Sequence, residues 1–109
     1  MLREINDSTI DKEVYGSTKP VLLTFYASDC WVCERFIPDL EILANDLGYK
    51  VDVFLINAKE SPISSRYHEI NTVPTTILFR DGQEFITLKG GRSLEDLFLF
   101  VNEYLSVDP

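Results

Sequence analysis

The sequence predicts an α/β fold, a central mixed β-sheet with helices on both faces, and three observations carry that expectation. Residues 21–27 and 51–57 form near-continuous apolar runs, the pattern of strands buried on both sides under covering helices. Helical patterns alternate with these strands, which argues for parallel crossovers. Two later strand patterns, residues 75–80 and 84–89, meet at Asp81-Gly82, the strongest short hairpin signal, so the sheet is expected to end antiparallel.

Taken in order, residues 2–5 read as a first strand. Asp7-Ser8-Thr9 offers N-cap chemistry for a helix carrying Ile10, Val14 and Tyr15 and ending at Gly16. A connector then leads to the strand at 21–27, expected to be central. Beyond it Phe36, Leu40, Leu43 and Leu47 recur at helical spacing, with Gly48 as the C-terminal cap. Pro38 removes one ladder bond inside this helix and crowds the carbonyl four residues back, which predicts a kink. Ser61-Pro62 opens a short helix reaching about Ile70, with His68 on it at the surface or half-buried. Ser93 caps the last helix with Asp96 at the capping-box position, and Leu94, Leu97, Phe98, Val101, Tyr104 and Leu105 form its core stripe.

A chain of 109 residues, 45% hydrophobic and 26% charged, suits one globular domain spanning residues 1–109. Eighteen acidic against ten basic side chains leave a net charge of −8, which disfavours nucleic acid and anionic membrane surfaces as partners. No apolar run approaches bilayer length, and the first seven residues lack a basic start followed by an apolar core. A cytoplasmic monomer is expected. The two cysteines, with none left for structural bridges, suit a reducing compartment.

Those cysteines lie in Cys30-Trp31-Val32-Cys33, where the central strand gives way to a helix. Side chains at i and i+3 on one helical turn are about 5–6 Å apart, within disulfide range. At a helix N-terminus the unpaired N–H groups and the positive end of the dipole favour a thiolate, lowering a thiol pKa below its free value of about 8.5. Cys30 is therefore the candidate attacking sulfur, and Cys33, one turn further in and more shielded, the candidate resolving thiol. The alternatives are that both pack as small hydrophobes, or that they form a purely structural disulfide, whose short loop would remove little unfolded-state entropy. A zinc site needs about four ligands, and with no second cysteine pair and His68 as the one histidine, no metal is expected.

Cys30, Cys33, Pro38, Val73-Pro74, Gly82 and Gly90 occur in the order of the motif, helix proline, cis-proline and glycines of the thioredoxin family, which the sequence resembles over nearly its whole length. The resemblance implies a thioredoxin-like fold. It also implies a thiol–disulfide oxidoreductase that reduces protein disulfides through a Cys30/Cys33 couple, without metal or organic cofactor. Its electrons would come from a thioredoxin-reductase-like, flavin-dependent donor. The resemblance further implies a cis bond at Pro74, beside the disulfide, and pairing of the Val73 backbone with an extended substrate peptide. Trp31, Val32 and Gly91 are expected to share that docking surface, unless Trp31 folds back onto the sheet.

The departures bear on mechanism. Family members commonly carry Gly-Pro between the cysteines, where this chain has Trp31-Val32, and a buried aspartate and lysine where it has Thr24 and Leu55. A buried carboxylate can act as a general base near neutrality and a threonine hydroxyl cannot, so Cys33 is expected to lose its proton by a slower route. Asp29 and Glu34 oppose a thiolate at Cys30, and Arg35 would offset them if turned that way. The rival readings are an oxidant or isomerase of the same fold, and a binding module with weak or no redox activity. Glutathione-dependent chemistry is disfavoured because no basic pocket is evident near the motif.

Overall fold

Strand β1 (Arg3–Ile5), a π-helical turn (Asp11–Tyr15), β2 (Val21–Tyr26), α1 (Trp31–Leu47), β3 (Asp52–Asn57), α2 (Pro62–Tyr67), β4 (Thr75–Arg80), β5 (Gln83–Lys89) and α3 (Leu94–Leu105) follow one another along the chain. They are seen in a computed structural model that describes residues 2–105. The strands form one five-stranded sheet in the order β1-β3-β2-β4-β5. β1 and β2 run parallel to β3, whereas β4 runs antiparallel to both β2 and β5. The most apolar strand, β2, is central, as its sequence predicts.

Alternation along β2 divides the interior into two layers. Leu22 joins Phe36, Leu40 and Leu43 of α1 and Leu97 and Val101 of α3 on one face. Leu23 and Phe25 point to the other, among Ile5, Val14, Phe54, Ile56 and Phe79. Each fully buried Leu or Phe contributes about 1.5–3 kcal/mol by leaving water. These layers fix the sheet against α1, and so fix where α1 begins.

The hairpin follows the sequence closely. Arg80 pairs with Gln83 across a two-residue loop, and Asp81 and Gly82 both have positive φ, 51° and 77°, as a type I′ turn requires. Gly82 also touches the chain elsewhere: a Cβ there would lie 2.2 Å from the Tyr15 carbonyl oxygen.

Four local expectations are corrected. The first helix is a π-helical turn, closed by the Gly16 N–H donating to the Asp11 carbonyl at 2.8 Å. Its N-cap is Ile10, with no side-chain cap. Asp7 instead caps α2, accepting from the Ile63 N–H at 3.1 Å and the Ser64 N–H at 2.8 Å. Helix α2 stops at Tyr67 rather than near Ile70, because Glu69 adopts a left-handed φ of 56°. His68 is buried, its side chain 1% exposed. Gly48 caps α1 as expected, in a right-handed conformation, φ −62°, and its carbonyl accepts from Lys19 Nζ at 2.6 Å. Pro38 lies inside α1.

Candidate active site

Cys30 is the N-cap of α1, in extended conformation, and its carbonyl accepts the first helical bond from the Glu34 N–H at 3.1 Å. Its Sγ accepts from the Cys33 N–H, also at 3.1 Å. This is where an orphan helical donor meets a sulfur, and such a donor together with the helix dipole favours a thiolate there. Cys30 and Cys33 are joined as a disulfide with Cα atoms 5.2 Å apart. Cys30 is half-buried and Cys33 only 1% exposed, so the accessible sulfur is the one at the helix tip.

The Val73–Pro74 bond is cis, and the Val73 carbonyl oxygen lies 3.8 Å from Cys30 Sγ. Pro74 is buried and Val73 half-buried. The Pro74 carbonyl accepts from the Gly90 N–H at 2.8 Å, which ties this loop to the segment before α3. There a Cβ at Gly91 would meet Val32 Cγ1 at 3.4 Å. The Val73 carbonyl thus lies beside the sulfur, and Val32 and Gly91 approach each other next to the helix start. Trp31 does not fold back onto the sheet: it is 65% exposed.

With this geometry in place, the comparison with known proteins is decisive. The thioredoxin family model matches residues 1–103. The chain belongs to the thioredoxin family. It is 30% identical to thioredoxin of Rickettsia prowazekii over 103 residues, covering 94% of this chain and 98% of that one. Thioredoxin of Rhodospirillum rubrum is 32% identical over 100 residues, 92% and 96% of the two chains. A thioredoxin-like protein of Synechocystis is 31% identical over 104 residues, 95% of each. The protein is a thiol–disulfide oxidoreductase with a Cys-Trp-Val-Cys centre.

The two positions where thioredoxins tend to carry a buried aspartate and lysine are neighbours here: Thr24 pairs in register with Leu55 on one side and Thr76 on the other. Thr24 is fully buried, and its Oγ1 shares a hydrogen bond of 2.8 Å with Thr76 Oγ1. It lies on the same face of β2 as Leu22, the face covered by α1. Two hydroxyls that satisfy each other and an aliphatic side chain leave no ionisable group at these positions.

The charges around the motif are disposed differently from the sequence reading. Asp29 pairs with Lys59 at 2.9 Å, and this hydrogen bond holds the Asp29 carboxyl below the ordinary carboxylate range. Lys59, thirty residues away, gave no sign in the sequence of answering Asp29. Arg35 turns toward Trp31, its guanidinium 5.5 Å from the ring centroid. The Tyr26 hydroxyl, four residues before Cys30, donates to Glu4 Oε2 at 2.7 Å. Burial and then Glu4 push the Tyr26 phenol up to about 12, so it stays protonated. Beside the motif, Arg35 and Arg92 line a groove of about 530 Å³ together with Trp31, Gly91 and two aspartates, Asp39 and Asp96, so its charges are mixed rather than basic.

Among the described residues no cluster of three or more His, Cys, Asp or Glu side chains is placed to hold a metal ion. No described helix is long and apolar enough to cross a membrane.

Proposed function

We propose that the protein works as a reductant of disulfides in other proteins. The Cys30 thiolate attacks one sulfur of the substrate disulfide, so a Cys30–substrate bond forms as the substrate S–S bond breaks. The departing sulfur leaves as a thiolate and takes a proton from solvent. Cys33, once deprotonated, attacks Cys30 Sγ, closing the internal disulfide and releasing the second substrate thiol. Two electrons pass from protein to substrate. The carrying observation is the asymmetry of the pair, with an accessible Cys30 sulfur capping α1 and a buried Cys33 one turn behind it.

Trp31, Val32, Val73, Pro74 and Gly91 form the docking surface in this reading, supported by the nearness of Val73 to Cys30 and of Gly91 to Val32. Thr24 marks the proton-transfer position, where Cys33 must give its proton to water or to substrate. The working unit is a single domain and a monomer in the cytoplasm, recharged by a thioredoxin-reductase-like donor and needing no metal or organic cofactor. Its net charge of −8 supports the absence of a nucleic-acid role.

The test is reduction of insulin by dithiothreitol with and without the protein. The wild type should accelerate precipitation of the insulin B chain and Cys30→Ser should not. Equal rates for the two would overturn the reading. Equilibration with glutathione buffers then gives the direction, since a potential nearer the isomerase value of about −180 mV than the thioredoxin value of about −270 mV would favour the oxidant.

A further inference from the structure

The groove beside the disulfide carries charges that thiol exchange by itself does not require. Trp31, Arg35, Asp39, Gly91, Arg92 and Asp96 contribute to its walls and it holds about 530 Å³, within the range of small-ligand sites. Arg35 and Asp39 stand four residues apart on α1, a spacing at which opposite charges on a helix commonly pair, and Arg92 precedes α3, whose first turn carries Asp96. Neither pair forms an ion pair among the described residues. Arg35 is drawn to the Trp31 ring, and Arg92 Nη1 donates to the carbonyls of Lys89 and Gly91, each at 3.0 Å. Each contact holds its guanidinium by one part and leaves further N–H donors for a ligand, since the group carries five.

Position matters as much as charge. Trp31 and Val32, the two residues that follow Cys30, both line this groove. Gly91 lines it as well, and a Cβ there would come into contact with Val32 Cγ1 at 3.4 Å. A ligand seated between the two arginines therefore lies beside the two residues that follow Cys30.

We propose, resting on the exchange reaction above, that the groove binds the small-thiol half of a disulfide bearing two carboxylates and an ammonium, the charge set of glutathione. Two guanidiniums meet the two carboxylates and an aspartate meets the ammonium. A net charge of −8 gives the protein no long-range attraction for such an anion, so the preference resides in the groove. In the reaction the Cys30 thiolate attacks the glutathione sulfur. The Cys30–glutathione bond forms, the original S–S bond breaks, and the other half leaves as a thiolate protonated by solvent. Cys33 then displaces glutathione from Cys30. The disulfide has gained two electrons and the protein dithiol has lost them.

The experiment compares two small disulfides, glutathione disulfide and the uncharged bis(2-hydroxyethyl) disulfide, as oxidants of the reduced protein, followed by fluorescence of Trp31, the sole tryptophan. The wild type should react faster with glutathione disulfide. In Arg35→Gln and in Arg92→Gln the ratio of the two rate constants should fall about tenfold, the loss expected for one charge-assisted contact. The lysine variants should recover part of it. An unchanged ratio would overturn the proposal. So would a loss of insulin reduction in these variants with the glutathione rate intact, which would assign the groove to a stretch of a protein substrate. Failure of the wild type to react with either disulfide would instead remove the exchange reading beneath it.

Discussion

Thr24 sits on the α1 face of β2 with its hydroxyl committed to Thr76, so the proton of Cys33 has no buried base waiting at that position. Thr24→Asp should therefore raise the rate at which protein disulfides oxidise the reduced protein near neutral pH, by about tenfold in stopped-flow traces. That lies below the usual contribution of a general base because Leu55 supplies no cation to hold the new carboxylate. An unchanged rate would show that loss of the Cys33 proton does not limit resolution. The Cys30–Cys33 pairing at the start of α1 was legible in the sequence because it follows from local order, a spacing and a helix start, whereas the cis bond at Pro74 was expected only from the family resemblance. His68 was not legible. Its burial depends on the Tyr15 hydroxyl, 2.7 Å from Nε2, and on the Glu84 carboxylate at Nδ1, with the rings of Phe25 and Phe79 against it. None of these is a sequence neighbour. His68→Ala opens a cavity and strips partners from two polar groups, so urea denaturation should register a loss of about 2–4 kcal/mol, against about 1 kcal/mol for Tyr15→Phe.

At the scale of elements, Asp7 joins the segment after β1 to the first turn of α2. Burial pushes its carboxyl up, but hydrogen bonds from the Ser64 hydroxyl, the Ser64 N–H and the Ile63 N–H outweigh this and leave it below the ordinary value of 3.8. A carboxyl held low in the folded chain stabilises that state when ionised. Its contribution is present above about pH 4 and is lost as the pH falls below that. Asp7→Ala should cost about 1 kcal/mol at pH 7, as for a lost N-cap, and its stability should converge with that of the wild type as the pH falls. Parallel urea curves from pH 7 to pH 3 would show that the cap is not the source. The cap was misread because Asp7-Ser8-Thr9 stands next to a helical turn, while its partners lie 56 and 57 residues away. The Asp81-Gly82 turn was legible for the opposite reason, since both positive φ angles belong to the residues that announce it. Helix α2 ended early on a left-handed Glu69, a position that no glycine or asparagine marked.

Over the whole molecule the layers place the reactive sulfur at one end of the sheet, and the charge of the chain decides what approaches it. Eighteen acidic against ten basic side chains give −8, a quantity read from composition without any fold. Local pairs do not change this sum: Asp29 with Lys59, or Lys19 with Asp52 at 3.2 Å, cancel nearby and vanish at a distance. The groove arginines likewise act over a few ångströms, whereas a protein substrate still some way off but within the screening length feels mainly the total. That length is about 30 Å at 0.01 M salt and about 8 Å at 0.15 M. Disulfide reduction in a substrate protein of net positive charge should therefore slow as salt rises over this interval, by about tenfold, the lower end of electrostatic steering. In a substrate of net negative charge it should accelerate, because screening removes a repulsion. Measuring both second-order rate constants at the two salt concentrations separates this from any effect of salt on the thiols, which would move both substrates the same way. Slopes of equal sign would mean that the sulfur is reached under local control alone and that the net charge of the chain has no part in choosing its partners.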